Sequence, residues 1–152
     1  MLNCTIVIDY QKGLIKMVKV IMGLKGSGKT KQLIDLVYKA VEEEKGDVVC
    51  IENGTNLRFD IPYQVRLVDS SLYEFYGYHF LKGFLCGLHS ANYDITHIFI
   101  DSLLRVLGLE PDSRMEEFLL WCESFSEREK VDFTITISAD ITLATEEMKR
   151  FF

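Results

Sequence analysis

Proline is nearly absent and glycine is modest: two prolines and ten glycines occur in 152 residues. That excludes collagen-like repeats and flexible-linker material. The four cysteines, Cys4, Cys50, Cys86 and Cys122, are widely scattered and form no C-x-x-C pair. A small disulfide-stapled scaffold is thereby excluded, and reduced, mostly buried thiols in a cytoplasmic protein are expected. No apolar run approaches the ~20 residues of a membrane-spanning helix. The apolar stretch 5–8 is too short for a signal peptide and is followed by Asp9. Positive charge is also in deficit. Lys and Arg number 17 against 23 Asp and Glu, a net charge of −6, which weighs against general nucleic-acid binding while leaving a local basic patch open. What remains is ordinary globular material, 48% hydrophobic and 26% charged, of a length that suits one domain.

The pattern alternates between strands and helices. Residues 18–22 are a short apolar run ending at Gly23, which predicts a buried strand. Over 29–44 the spacing turns helical, with Leu33, Leu36, Val37, Ala40 and Val41 on one face and Gly46 as a stop. Residues 48–51 predict a second buried strand, followed by Glu52, Asn53 and Gly54. A polar, irregular segment over 55–63 contains Pro62, and the loop 53–63 lies just beyond a strand end, where it can fold over a ligand. A third strand is expected at 65–68. Ser71 with Glu74, and Ser113 with Glu116, have the capping-box spacing and predict helices to about Ser90 and Lys130. Residues 97–100 predict a fourth strand with Asp101 at its end, 133–137 a fifth, β-branched strand, and 145–152 a short closing helix. The expected fold is therefore α/β: a three-layer α/β/α arrangement around a mainly parallel five-strand sheet. Residues 1–16 read either as a mistranslated leader ahead of Met17 or as an edge strand, with 17–152 as the α/β domain.

The strongest signal is Gly23-Leu24-Lys25-Gly26-Ser27-Gly28-Lys29-Thr30, which matches G-x-x-x-x-G-K-[ST] at every fixed position. Glycines let the chain turn tightly and bring backbone N–H groups against phosphate oxygens. The helix that follows adds its positive end. Lys29 can reach the β- and γ-phosphates, the Thr30 hydroxyl can take Mg²⁺, and Lys25 and Lys31 add local positive charge. A strand before the loop and an amphipathic helix after it are the context this pattern requires. Asp101, at the carboxyl end of an apolar strand, is the natural second Mg²⁺ group. These residues resemble the P-loop NTPase superfamily, with Asp101 at the Walker B position. The resemblance implies a nucleotide-binding α/β domain, with ATP and Mg²⁺ as cofactors.

Many P-loop ATPases carry a glutamate directly after that aspartate; here the position is Ser102. In the RecA-like, additional-strand branch, the glutamate instead ends a strand shortly after the loop helix. Glu52 occupies such a place and is the candidate that positions water, with Lys29, in catalysis. A strand between 18–22 and 98–101 would mark that branch. Ser138, ending the fifth strand, resembles the branch's sensor position. The loop and helix are also similar, loosely, to short proteins named after the twitching-motility PilT ATPases, but the acidic and histidine boxes of the long secretion ATPases are absent.

No N-K-x-D guanine motif and no paired C-x-x-C zinc ribbon occur. The leading expectation is a Mg²⁺-dependent ATP-binding protein with slow hydrolysis. The alternatives are a small-metabolite kinase using Arg105, Arg114 or Arg128, and a nucleotide-dependent switch or assembly module. Cys86 and His89 make half a zinc site with no second half, and His97 reads as an edge cap. Tyr73, Phe75, Tyr76, Tyr78, Phe80 and Phe84 crowd one helix whose Gly77, Gly83 and Gly87 predict close approach of the sheet or a partner subunit.

Overall fold

The computed structural model describes residues 17–43 and 45–152; the leader or edge-strand reading of residues 1–16 lies outside them. Among the described residues five strands form the sheet: β1 (Val18–Gly23), β2 (Asp47–Glu52), β3 (Arg66–Asp69), β4 (Ile95–Ile100) and β5 (Asp132–Ser138). All neighbouring pairs run parallel, in the order β1-β5-β4-β2-β3. The strand inserted between β1 and β4 is β5, the arrangement expected of the additional-strand branch. The helices are α1 (Lys29–Glu43), α2 (Gly77–Ala91), α3 (Leu103–Leu107), α4 (Arg114–Glu129) and α5 (Glu146–Lys149).

Side-chain alternation along the strands builds two cores. Val48, Cys50 and Phe99 face α1, where Leu33, Val37 and Ala40 form its buried stripe. Val49, Ile51, Ile98 and Ile100 point the other way, against Leu81, Leu85, Phe118, Leu119 and Phe125 of α2 and α4. The sheet is thus covered on both faces, the only economical way to bury parallel strands that read as continuous apolar runs. The polar segment over 55–63 is better packed than its composition suggests. Leu57 and Ile61 are buried in the α1-side core, while Phe59 and Tyr63 stay exposed.

Several local expectations are corrected. Ser71 and Glu74 do not open α2. Residues 70–73 form a short 3-10 turn capped by Asp69, Glu74 takes a left-handed conformation, and α2 begins at Gly77. The Asp69 carboxylate accepts from Ser71 N at 2.9 Å and Ser71 Oγ at 2.6 Å. A short local Asx bond therefore outcompetes the longer capping box. α4 begins as expected, but Ser113 is itself helical and caps nothing. Asp112 accepts from Arg114 N at 2.9 Å, and Glu116 bonds the Thr145 hydroxyl.

The crowded helix is also not closely approached at its glycines. A side-chain carbon at Gly83 or Gly87 would meet nothing within 4 Å, and Gly77 (φ +80°) serves the turn into α2. Tyr73, Tyr76 and Phe80 are exposed, whereas Tyr78 is buried. His97 is not an edge cap. It lies within central β4, stacks on Phe99 at 4.1 Å and sits 2.9 Å from Thr134 Oγ1. Cys50 and Cys122 are buried free thiols, and Cys86 is exposed.

Candidate functional site

The site forms where β1, β4 and β5 end together. β1 delivers the chain into the loop at Gly23, which is level with Ser138 of β5. Gly26 and Gly28 have φ of +85° and +84°, conformations that side-chain-bearing residues adopt only with strain. These two left-handed turns let the loop wrap and start α1 at Lys29. Lys29 is buried, and its ammonium donates to Leu24 O at 2.8 Å and to Ser27 Oγ at 3.3 Å. Its aliphatic stem is thereby folded over the loop with the charge held at the loop's mouth. Burial pulls the lysine pKa below its ordinary value, and Asp101 opposes that shift.

Asp101 arrives from the end of β4, anchored by its N–H donating to Ile51 O at 2.9 Å. The Thr30 hydroxyl lies 3.4 and 3.5 Å from its two carboxylate oxygens. A hydroxyl and a carboxylate side by side are hard oxygen donors, the set that suits Mg²⁺ shared with phosphate. The pair therefore fits that ion. Sequence reasoning missed what holds the carboxylate. Thr136, fully buried on β5, donates from Oγ1 to Asp101 Oδ1 at 2.8 Å and accepts from Ser102 N at 2.7 Å. This one hydroxyl orients the acid and also fixes Ser102 in a left-handed turn (φ +58°) that launches α3. The available signal was the alternation along β5, which puts Thr134 and Thr136 on the face opposite Phe133, Ile135 and Ile137.

Glu52 ends β2, beside the strand that carries Asp101, and is 2% exposed. Its two oxygens accept from Asn56 N at 2.9 Å and Leu57 N at 2.8 Å. Burial raises its pKa first of all; the two amides pull it back down, and Asp101 and Asp69 push it further up. In this conformation the carboxylate anchors the following loop. Asp69 helps, accepting from Gly54 N at 2.8 Å.

A cavity of about 410 Å³ opens over the loop. Its wall includes Gly26, Lys29, Thr30, Asp101, Ser138 and, unexpectedly, Arg105; Lys25, Gly28, Lys31, Asn56 and Ser102 complete it. The loop residues, Asp101 and Ser138 are thus brought together, and Asn56 is the one residue of the 53–63 segment that reaches them. Glu52 is not on that wall. A second cleft of about 580 Å³ shares Lys25, Ser102, Arg105 and Ser138 with the first and continues past Leu104, Leu109 and Pro111 to Glu110.

The other candidates lie elsewhere. Arg114 pairs with Asp112 and Arg128 with Glu129. His89 is buried between Tyr93 and Phe125, 3.8 Å from Glu129. Among the described residues, no three His, Cys, Asp or Glu side chains converge to hold a metal, and no helix is long and apolar enough to cross a membrane.

No protein-family model matches the chain, and no curated protein sequence matches it. Solved structures do. The flagellar accessory protein FlaH from Methanocaldococcus jannaschii superposes with a TM-score of 0.52 at 14% identity, over 89% of this chain. The chain spans 66% of that protein's length. At such identity the likeness shows the fold, and the fold is the three-layer α/β P-loop arrangement with an added strand.

Proposed function

We propose that the protein binds ATP with Mg²⁺ and hydrolyses it slowly. The carrying observation is the meeting of Thr30 and Asp101 at 3.4 Å across the mouth of a loop whose glycines and Lys29 are set for phosphate. Loop amides and the positive end of α1 would take the phosphate oxygens. Lys29 would exchange its bonds to Leu24 O and Ser27 Oγ for the β- and γ-phosphates. Thr30 and Asp101 would hold Mg²⁺, which would supply neutralisation of the phosphate charge.

Slow turnover follows from what surrounds the terminal phosphate. The residue after Asp101 is Ser102, and Glu52 holds two loop amides with its two oxygens. Glu52 remains the candidate for positioning water, because it ends the strand beside Asp101. To act, it must present its remaining lone pairs or release the loop.

Calorimetric titration with ATP, GTP and ADP in the presence of Mg²⁺, on the wild type and on Lys29→Ala, tests the reading. ATP binding that disappears in Lys29→Ala is expected. A folded wild type that binds no nucleotide refutes it. The cleft beyond Ser102 and Arg105 favours a second reading, phosphoryl transfer to a small metabolite. In that case ADP release would rise with an added acceptor and the phosphate would be found on the acceptor rather than as the free ion.

A further inference from the structure

α3 is five residues long, and Leu103, Leu104, Val106 and Leu107 are all buried. Arg105 is the single residue that this helix presents outward. The helix is also rigidly launched. Thr136 Oγ1 holds both the Asp101 carboxylate and the Ser102 N–H, so the acid and the start of α3 share one anchor. Arg105 follows Asp101 by four residues, and it lines both the cavity over the loop and the adjoining cleft.

Like Arg58 and Arg66, Arg105 has no carboxylate partner among the described residues, but of these three it alone lines the loop cavity. Acidic residues outnumber Lys and Arg by 23 to 17. Arg114, Arg128 and Arg150 each find a carboxylate. The Arg105 side chain makes no hydrogen bond or ion pair among the described residues. An unpaired guanidinium facing a phosphate-loop cavity, with Lys25 and the Ser138 hydroxyl on the same wall, is a set of donors without an acceptor. A guanidinium's planar fork matches phosphoryl oxygens in two simultaneous bonds.

We propose that Arg105, with Lys25 and Ser138, forms a terminal-phosphate subsite supplied by the chain itself, whose ligand is the γ-phosphoryl group in flight. The inference rests on the nucleotide-binding reading and deepens it: no arginine from a second chain is needed. In the hydrolytic step a water oxygen bonds to Pγ, and the bridging oxygen leaves with its electron pair on ADP. Both protons of the water end on the released phosphate, which leaves as dihydrogen phosphate and gives up a proton to solvent. Arg105 stays protonated throughout and meets the charge that spreads over the three equatorial oxygens.

The test uses the whole chain with Mg²⁺, ADP and aluminium fluoride, whose complex mimics the transferring phosphoryl group. Wild type is expected to bind ADP–aluminium fluoride at least ~10²-fold more tightly than ADP alone, within the range seen for transition-state analogues. Arg105→Ala should keep its ADP affinity within about threefold, because ADP has no γ-phosphoryl group, and lose most of that enhancement. Its turnover should fall about 10³-fold, the lower end for a lost arginine finger, and Arg105→Lys should recover part of both. Arg105 is exposed, so an unchanged melting curve confirms that the variants fold. Equal enhancement in wild type and Arg105→Ala overturns the proposal. So does a wild type that binds ADP but gains nothing from aluminium fluoride. A wild type that binds neither overturns the nucleotide reading itself, a separate outcome.

Discussion

Replacing Thr136 with valine keeps the buried volume and deletes one oxygen. That oxygen donates to Asp101 Oδ1 at 2.8 Å and accepts from Ser102 N at 2.7 Å. The first bond goes to an ionised group and is worth about 1.5–3 kcal/mol; the second, once removed, strands an amide at a cost of about 1–3 kcal/mol. The two share one atom and do not add fully, so the expected loss is about 2–4 kcal/mol. Urea denaturation reads it as a lower midpoint at unchanged slope. The same change frees the Asp101 carboxylate to rotate away from Thr30. Outer residues that orient metal ligands cost about 10–100-fold in metal affinity when removed. Mg²⁺-dependent ATP affinity should therefore fall by that factor, while affinity measured in EDTA changes little. Thr134→Val is the matched control: it deletes a buried hydroxyl beside His97, two residues back on the same strand. If Thr136→Val unfolds within ~0.5 kcal/mol of wild type, the range of an ordinary surface change, the shared anchor is not structural. Equal effects of the two variants on Mg²⁺-ATP binding would equally refute the argument.

Other perturbations read different parts of the site. Glu52→Gln leaves one oxygen for two loop amides and points an N–H₂ at the other. It should cost about 1–3 kcal/mol in chemical denaturation and lower ATP turnover; undiminished hydrolysis would remove Glu52 from catalysis. Asp69 has its pKa held below the ordinary carboxylate value by the Ser71 hydroxyl first and the Gly54 amide next. Its contribution is therefore present above the unfolded value and lost as pH falls through the lower folded one. The stability gap between wild type and Asp69→Asn should be widest near neutral pH and close below about pH 4, a trend visible in pH-dependent melting. Tyr78 has a buried hydroxyl with no hydrogen-bond partner among the described residues, and burial pushes its pKa up to about 12. Tyr78→Phe should leave the melting temperature unchanged or raise it, by no more than about 1 kcal/mol equivalent, because an unpaired buried hydroxyl contributes only desolvation cost.

The parts of this fold that could be read along the chain are those that local physics decides. Apolar runs bounded by glycine or carboxylate became strands, and the stripe through Leu33, Val37 and Ala40 became the buried face of α1. The starts of helices were less legible, because a capping-box pattern competes with any carboxylate nearer by. Asp69 sits two residues before Ser71 and takes its amide, so Glu74 has no role at a helix start. α3 escaped notice for a different reason. Five residues give no measurable period, and it exists because Leu103, Leu104, Val106 and Leu107 are buried by neighbours far away in sequence.

The site divides along the same line. Gly23 to Thr30 is contiguous, so its chemistry is written in its order. Asp101 needed only the observation that a carboxylate ends an apolar strand. Thr136 and Arg105 depend on which strand lies beside which. Alternation along β5 says that Thr134 and Thr136 share a face, but that face could lie against any helix. Only the insertion of β5 between β1 and β4 puts it under the phosphate loop, with Thr136 in reach of Asp101. Strand order is a global property, set by which packing of the five strands buries both apolar faces. A positioning hydroxyl on the inserted strand is therefore invisible until the order is known. Once it is known, the consequences are forced. The same oxygen that orients the acid also fixes the turn after it, and that turn starts the helix whose one outward residue, Arg105, lines the cavity. Geometry at Asp101 and geometry at Arg105 are coupled through a single side chain. Loss of Thr136 should accordingly weaken both Mg²⁺ dependence and the aluminium fluoride response, whereas loss of Arg105 should spare the first.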